Sequence, residues 1–241
     1  MSYPNNSVSE PISPPLLEQL RSIPTCAVAN AIEQMKVRLR NEGFTNGSIR
    51  CFSACQTPFI GHAVTVRIRC STPPTDGHDY LESTRWWNFV LSIPEPRIVV
   101  IQDVDPFPGT GALVGEIHAN ILQALGCIGV VTNGSIRDLA ALERIGFHAF
   151  ASQLAVSHAY SHIVEMSGPV EIAGLKIFSG DLLHGDLHGL ISIPLGTESK
   201  IPLMAARIAR REQTIIELCK PSEFSIDTLR EGIRALREDE P

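Results

Sequence analysis

The chain has 241 residues, of which 44% are hydrophobic, and a formal net charge of −6. This length and apolar content suit one substantial core. The negative charge and the scattered Lys and Arg residues argue against a nucleic-acid-binding surface, and no apolar run reaches membrane-spanning length. The polar, Pro-rich amino terminus also lacks the apolar segment of a secretory signal. We therefore expect a soluble cytoplasmic protein with no nucleic-acid partner and no membrane contact.

The first part of the chain predicts a tail and two helices. Residues 1–14 are polar and Pro-rich, so we expect them to be disordered. A short helix is predicted over Leu16–Arg21, and Thr25 is expected to cap a second helix that continues to Met35. The six cysteines include no C-x-x-C pair. Reduced thiols are therefore expected rather than a disulfide framework or a zinc site.

A strand and an aromatic helix follow. Ile60–Cys70 alternates between apolar and polar residues as a half-buried strand does, and the Pro/Gly-rich segment after it ends the strand. The next helix contains Trp86 and Trp87. We expect this pair to lie in the core or at a subunit contact.

The centre of the chain predicts a β-α-β-α-β unit. The β-branched run Ile98–Ile101 suits a buried strand, and a Pro/Gly-rich turn ends it. Helical spacing then continues to Gly126, a residue that can end a helix in the left-handed conformation. The remaining predicted elements are a strand over Cys127–Thr132, a helix over Asp138–Ile145 and a strand over Phe147–Ala151.

The two strand-to-helix turns of this unit should open on the same edge of the sheet. Consecutive βαβ units run parallel with right-handed crossovers, and open α/β sheets bind ligands at that edge. Carboxylate oxygens there suit a magnesium-like cation, while an Arg and two helix N-termini suit an anionic ligand. The residues placed on this edge are Asp103, Asp105, Glu116, Arg137 and Asp138.

Simpler roles remain open for two of these acids. Asp138 could only cap its own helix, and Glu116 could be an acid in a first helical turn. Nucleotide binding is disfavoured, because Gly109, Gly111 and Gly115 are spaced one residue too widely for a dinucleotide fingerprint and no P-loop Lys follows.

Two groups of polar residues beyond the central unit are further candidates for metal binding. His158 and His162 lie four apart on a predicted helix, but the pattern lacks the Glu of a zinc protease motif, which disfavours a two-His site. His184, Asp186 and His188 could share one face of a strand. The neighbouring glycines favour turns and a structural role instead.

Two amphipathic helices are predicted beyond Pro194. Their apolar sides consist of Leu203, Ile208, Ile215 and Leu218 in the first helix and of Leu229, Ile233 and Leu236 in the second. We therefore expect one domain over residues 15–198, followed by helices over residues 199–241 that pack at a subunit interface.

Several motifs together resemble the RraA-like family. Gly115-Glu116 before a helix, and G-x-x-G-V-V-x-x-G-x-x-R-D from Gly126 to Asp138, are similar to the family's central motif. Gly61–Val66 resembles its G-x-A-x-T-V strand, and Gly180–Pro194 resembles its G-D hairpin. The similarity covers about residues 16 to 195.

The resemblance implies an α/β/β/α swivelling fold that contains the parallel βαβαβ unit and carries appended C-terminal helices. The family includes metal-dependent 4-hydroxy-4-methyl-2-oxoglutarate and 4-carboxy-4-hydroxy-2-oxoadipate aldolases, and also the regulator of ribonuclease activity A. The resemblance therefore implies a lyase that acts on 2-oxo acids through a metal-stabilised enolate. The reaction would be retro-aldol cleavage of a 4-hydroxy-2-oxo acid to pyruvate, oxaloacetate decarboxylation, or both. Homotrimers or hexamers with active sites between subunits are also implied.

The resemblance implies a metal and a base at the edge of the sheet. Asp138 would bind Mg²⁺ or Mn²⁺, and Glu116 would orient a metal-bound water that serves as the base. An acid from a neighbouring subunit's C-terminal helix assists in the aldolases, and Glu212 is the candidate by position. Asn30 stands where the family pattern has Asp, which removes an acid from that position.

The resemblance also implies a binding site for the substrate. Arg137 would hold the carboxylate or oxo group of the 2-oxo acid. Gly115 and the backbone N–H groups of Ile117 and His118 would add contacts at the helix N-terminus.

Two other functions must be weighed against this one. A Schiff-base aldolase cleaves the same bonds without metal but needs a desolvated Lys, and none of Lys36, Lys176, Lys200 and Lys220 lies on the ligand edge. A non-catalytic regulator that binds a protein partner, as in one branch of the family, would have no need for convergent acids and an Arg.

Overall fold

The computed structural model describes residues 11–53, 57–75, 84–220 and 224–238. The helices are α1 (Pro14–Arg21), α2 (Thr25–Met35), α3 (Thr84–Leu91), α4 (Glu116–Ala124), α5 (Leu139–Arg144), α6 (Ile201–Leu218) and α7 (Ile226–Glu238). The strands are β1 (Arg50–Cys51), β2 (Phe59–Arg69), β3 (Arg97–Asp103), β4 (Cys127–Thr132), β5 (Ser135–Ile136), β6 (His148–Ala151), β7 (Gln153–Leu154), β8 (His162–Met166), β9 (Val170–Ile172), β10 (Leu175–Ile177), β11 (Leu182–Asp186) and β12 (Gly189–Ile193).

The predicted β-α-β-α-β unit is confirmed as β3-α4-β4-α5-β6. Strands β2, β3, β4 and β6 lie side by side and parallel within an eight-stranded sheet of order β1-β6-β4-β3-β2-β11-β12, with β8 paired to the far half of β2. Gly126 and Gly146 follow α4 and α5 with positive φ values of 73° and 68°. Glycine adopts this left-handed conformation without a steric cost, so both helices end where the sequence predicts.

One face of the sheet is covered by α3, α4 and α5. Their apolar residues pack with β-branched residues of β2, β3 and β4 in one buried cluster. Trp86 is fully buried in this cluster and Trp87 packs partly against it, so the predicted core role of the Trp pair is confirmed. The opposite face packs against the small antiparallel sheet of β9 and β10. The layers therefore agree with the expected mixed α/β fold of the RraA-like type.

Helices α1, α2 and α6 form a third apolar cluster with β12 and the start of β2. On α6 the buried residues are Ile201 and Ala205, whereas Leu203 is 79% exposed. Leu203 therefore does not pack within this chain, which leaves its predicted place on the apolar side of the helix untested. Helix α6 packs on α2 of its own chain and α7 packs on α6. The subunit-interface role of residues 199–241 stays a prediction. Residues 1–10 of the predicted tail lie outside the described ranges.

The segment from residue 158 to residue 162 is not helical, contrary to the sequence prediction. His158 lies in a loop, and His162 begins β8, which pairs antiparallel with β2. The pairing with β2 overrides the local helical pattern. The two histidines, although four residues apart, therefore do not lie on one face of a helix.

The group at 184–188 has the expected structural role, but His184 and Asp186 lie in strand β11 and not in the predicted turns. Asp186 Oδ2 accepts the N–H of Thr25 at 2.8 Å, and Asp186 Oδ1 accepts the N–H of His188 at 2.9 Å. The Thr25 hydroxyl bonds to His184 Nδ1 at 3.0 Å and makes no capping bond to its own helix. The prediction of Thr25 as the helix cap is thus wrong: Pro24 stands at that position, and Asp186 supplies the acceptor from a distant strand.

Cys51 is disulfide-bonded, so the prediction of reduced thiols throughout is wrong at that residue. Cys26, Cys70, Cys127 and Cys219 are free thiols. No helix within the described ranges is both long enough and apolar enough to cross a membrane.

Candidate active site

The strand ends of β3 and β4 are joined by one side chain. Asn133 Oδ1 accepts the N–H of Asp103 at 2.7 Å, and Asn133 Nδ2 donates to the carbonyl of Asp103 at 3.0 Å. The Ser135 hydroxyl donates to the carbonyl of Gly109 at 2.7 Å. These bonds bring the two turns of the predicted ligand edge together and fix their spacing.

Asp103 and Asp105 lie on this edge, but they face the protein interior. They are only 2% and 6% exposed. Asp103 accepts the N–H groups of Gly109 and Asp105, at 2.7 and 3.0 Å. Asp105 accepts the N–H groups of Cys70 and Ser71, both at 2.7 Å, and the Ser71 hydroxyl at 2.8 Å. Both acids therefore hold loops in place, and the prediction that they face a ligand is not supported by their contacts.

Cys70, Asp103 and Asp105 are also close enough together to be considered as a metal site. Burial raises the pKa of the Cys70 thiol to about 11, and burial likewise raises the pKa of Asp103. Burial opposes ionisation of Asp105 as well, but hydrogen bonds from Cys70 and Ser71 and the charge of Arg69 lower its pKa overall. Both carboxylates already accept N–H groups of the loops around them. We assign the cluster to loop support.

Asp138 is the residue on which the exposed part of the site converges. It has a left-handed backbone (φ 59°) and makes no capping bond to α5, the helix that it precedes. Its Oδ2 instead accepts the N–H of Glu116 at 3.0 Å and lies 3.5 Å from Arg137 Nε. Capping of its own helix, the simpler role considered above, is therefore excluded. Oδ1 has no hydrogen-bond partner among the described residues, and the side chain is 38% exposed.

Gly115 allows Asp138 and Arg137 to approach the start of α4. A Cβ atom on Gly115 would lie 2.5 Å from Asp138 Oδ2 and 2.7 Å from Arg137 Nε. Its backbone is extended (φ −132°), so the need for glycine comes from this close approach and not from the backbone conformation. The predicted site residue Gly115 thus lies in direct contact with the acid and the Arg.

Glu116 lies at the site, but its carboxylate also binds Arg144, a residue that the sequence analysis did not predict. Glu116 Oε1 accepts from Arg144 Nη2 at 2.5 Å, and both side chains are at least half exposed. Arg144 lies in the last turn of α5. No spacing in the sequence links it to Glu116, because the contact depends on how two helices pack.

Only the backbones of Ile117 and His118 lie where the sequence predicts. They occupy the second and third positions of α4, where N–H groups have no acceptor within the helix. The Ile117 side chain is 68% exposed, whereas the His118 side chain is buried. His118 Nε2 accepts from the indole N–H of Trp86, a contact that the sequence did not predict.

Glu212 lies on α6 and is not joined to Asp138 within the chain by any contact of the described residues. Its Oε1 accepts from Asn30 Nδ2 at 3.5 Å, between α6 and α2. The role of Glu212 at a neighbouring subunit's site therefore stays a prediction.

The fold and this edge site define an α/β protein with a carboxylate and a guanidinium at the carboxyl ends of parallel strands. A family model described as RraA-like, Aldolase/RraA, matches residues 25–192. The chain therefore belongs to the RraA-like family, as its motifs indicated.

Similarity to individual proteins is more distant. A protein of Halalkalibacterium halodurans named "Putative 4-hydroxy-4-methyl-2-oxoglutarate aldolase" is 30% identical over 93 residues, which cover 38% of this chain and 44% of that relative. The matched segment is therefore less than half of the relative's length.

Two solved structures share the fold. An uncharacterized protein from Pseudomonas syringae pv. tomato has a TM-score of 0.70 at 21% identity, over 98% of this chain and 99% of its own. Streptomyces coelicolor RraAS2, described as an unusual member of the RNase ES inhibitor RraA family, has a TM-score of 0.65 at 17% identity, over 85% and 96%. At these identities the likeness shows the fold alone.

Proposed function

We propose that this protein is a divalent-metal-dependent carbon–carbon lyase acting on 2-oxo acids. The reaction is retro-aldol cleavage of a 4-hydroxy-2-oxo acid to pyruvate, decarboxylation of oxaloacetate, or both. The observation that carries the proposal is the environment of Asp138. One carboxylate oxygen is fixed by the Glu116 N–H beside Arg137, and the other has no protein partner among the described residues.

The residues at this site fit a Mg²⁺ or Mn²⁺ ion that keeps most of its waters. Such ions bind through one or two carboxylates, and Asp138 offers one open anionic oxygen at a half-exposed position. Glu116 would contribute through a water. When bound, the cation supplies Lewis-acid stabilisation of the negative charge that develops on the 2-oxo acid.

Arg137 would bind and orient the substrate. Its only ion pair among the described residues is with Asp138, through Nε. The terminal nitrogens of the guanidinium would then be left for the carboxylate of the 2-oxo acid, with the planar geometry that favours such pairs. The N–H groups of Ile117 and His118 at the start of α4 would face the same anionic group.

Glu116 would assist the transfer of the proton of the 4-hydroxyl group. In the retro-aldol direction the 4-hydroxyl would pass its proton to a water oriented by Glu116. Its oxygen would then form a carbonyl at C4 as the C3–C4 bond breaks, and the electron pair of that bond would form the enolate of pyruvate, leaving the C4 fragment as the second, carbonyl product. A proton returned to C3 then releases pyruvate. Arg144 Nη2 contacts Oε1 of the Glu116 carboxylate. This ion pair favours one orientation of the Glu116 side chain.

The lysines support this reaction over a Schiff-base mechanism. A Schiff-base Lys must be desolvated to act as a nucleophile. All of Lys36, Lys176, Lys200 and Lys220 are exposed.

We further propose a homotrimer or hexamer in which Glu212 of a neighbouring subunit completes the site. Large apolar side chains are exposed both on the C-terminal helices and on loops of the ligand edge. Examples are Leu203 and Ile216 on α6 and Phe107 and Val156 on the loops. Exposed apolar area of this kind is typical of surfaces that associate.

The proposal is tested by coupled detection of pyruvate over a panel of 4-hydroxy-2-oxo acids and oxaloacetate, with and without Mg²⁺. We expect magnesium-dependent release that is lost in Asp138→Asn. If no substrate releases pyruvate while the purified chain inhibits a ribonuclease, the protein is a regulator and the lyase proposal fails.

A further inference from the structure

A buried chain of hydrogen bonds joins α3 to the turn that precedes α4. The indole Nε1–H of Trp86 donates to His118 Nε2 at 3.4 Å, and His118 Nδ1 bonds to the carbonyl of Leu113 at 3.1 Å. Trp86 is 0% and His118 is 3% exposed. A buried polar chain of this kind is costly unless its members are satisfied, so its presence in an apolar cluster calls for a reason.

The proton positions along this chain follow from the partners. An indole N–H can only donate and a carbonyl can only accept. The His118 ring must therefore carry its proton on Nδ1 and accept at Nε2, which is a neutral imidazole. Burial lowers the pKa of His118 and so favours the same neutral form.

This chain of hydrogen bonds ends at the turn formed by residues 113–115. All three carbonyl groups of that turn accept hydrogen bonds from within the protein. Besides Leu113, the carbonyl of Val114 accepts the N–H of Arg137 at 3.3 Å, and the carbonyl of Gly115 accepts the N–H of Ala119 at 2.9 Å. A planar peptide unit with a fixed carbonyl also has a fixed N–H on its other side. Three successive peptide units at the mouth of the site are thus held in one orientation.

We propose that Trp86 and His118 are positioning residues that clamp the 113–115 turn, so that the Glu116 N–H on the last of these peptide units stays directed at Asp138 Oδ2 in the site. The clamp acts on the site described under the proposed function and rests on that function for the identity of the ligand. His118 contacts the turn through Leu113, and Trp86 acts through His118. Neither side chain reaches the substrate.

Two amides report on the turn without any substrate. The N–H groups of Ala119 and Arg137 both bond to carbonyls of the turn, so their hydrogen exchange rises if the turn loosens. The amide of Val131, in the centre of β4, serves as an internal reference for global stability. The measurement uses the full chain without metal or ligand, by NMR.

Four variants distinguish loss of these hydrogen bonds from loss of side-chain packing. His118→Phe keeps the ring volume and removes both hydrogen bonds. His118→Asn places an amide donor near the position of Nδ1 and should restore the bond to Leu113. Trp86→Phe keeps an aromatic ring but loses the indole donor. Trp87→Phe is the matched control, because Trp87 packs partly against the same cluster.

For His118→Phe and Trp86→Phe, we expect exchange at Ala119 and Arg137 to rise by roughly 3- to 10-fold relative to Val131, the range that corresponds to one lost buried hydrogen bond. His118→Asn should recover part of this protection, and Trp87→Phe should leave it unchanged. The affinity for oxalate, an analogue of the pyruvate enolate, measured with Mg²⁺ present, should fall in the same two variants by a similar factor.

The proposal is overturned if the exchange ratio in both Trp86→Phe and His118→Phe stays at the wild-type value, or if Trp87→Phe raises it equally. Failure of the lyase function has a different signature. In that case the exchange results stand, while the wild type neither binds oxalate nor releases pyruvate.

Discussion

Replacing Asp138 by Asn separates the proposed metal-binding role of this residue from its structural role. Asp138 Oδ2 accepts the N–H of Glu116 at 3.0 Å. Asn keeps a carbonyl oxygen at this place, so the change converts a charge-assisted bond into a neutral one and costs roughly 1 kcal/mol. For a domain of this size that corresponds to a decrease in Tm of about 2–4 °C.

The effect of the same change on catalysis should be much larger. A hard cation needs an anionic oxygen, and the open Oδ1 is lost as an anion in Asn. We expect weaker binding of Mn²⁺ in isothermal titration and a decrease in kcat/KM of at least about 100-fold, equivalent to about 2.7 kcal/mol.

Asp181→Asn is a matched control for this experiment. Asp181 is half-buried and its Oδ2 accepts one backbone N–H, from Phe178 at 2.9 Å. The control should keep turnover and Mn²⁺ affinity. If Asp138→Asn keeps more than half of the wild-type turnover with unchanged Mn²⁺ affinity, the assignment of the site to Asp138 is refuted.

Three further predictions concern the site and the fold. Gly115→Ala should lower kcat/KM by at least about tenfold with little change in the urea midpoint, because its Cβ displaces Asp138 and Arg137; wild-type kinetics would contradict the close approach. A chelator should abolish pyruvate release and Mg²⁺ or Mn²⁺ should restore it, and borohydride with substrate should leave the mass of the chain unchanged; a lysine adduct would contradict the metal reaction. Stability should fall as the pH drops below about 6.5, the ordinary pKa of His. Burial lowers the pKa of His184 despite the nearby carboxylate of Asp186, so the unfolded chain takes up a proton that the folded chain does not. Urea midpoints at pH 7.5 and 5.5 measure this loss, and an increase on acidification would contradict it.

The parts of the fold that depend on local pattern could be predicted from the sequence. The βαβαβ unit, the strand over Cys127–Thr132 and the helix stops at Gly126 and Gly146 all follow from side-chain periodicity and glycine conformation. The segment around His158 could not be predicted in this way, since its pairing partner β2 lies far away in the chain. Tertiary pairing then outweighs helical spacing.

Topology predicted which residues of the candidate site lie at one edge of the sheet, but it did not predict the contacts that distant parts of the chain make with them. Parallel strands bring Glu116 and Asp138 to one edge, which the order of elements alone implies. That Asp138 bonds to the start of α4 instead of its own helix depends on its left-handed backbone. The partners Arg144 and Trp86 are fixed by helix packing, for which the sequence carries no local signal.

The three aspartates of this edge show how the same residue type can take opposite roles a few residues apart. Asp103 ends β3 and accepts two N–H groups of the loop that follows it, whereas Asp105 accepts the N–H groups of Cys70 and Ser71, which follow β2. Asp138 follows a shorter turn and receives only the Glu116 N–H and the edge of Arg137. A carboxylate whose oxygens already accept several N–H groups has fewer lone pairs left for a cation than one with an oxygen that accepts none. The number of N–H groups that each acid accepts, and not its position after a strand, therefore favours Asp138 over Asp103 and Asp105 as the proposed ligand.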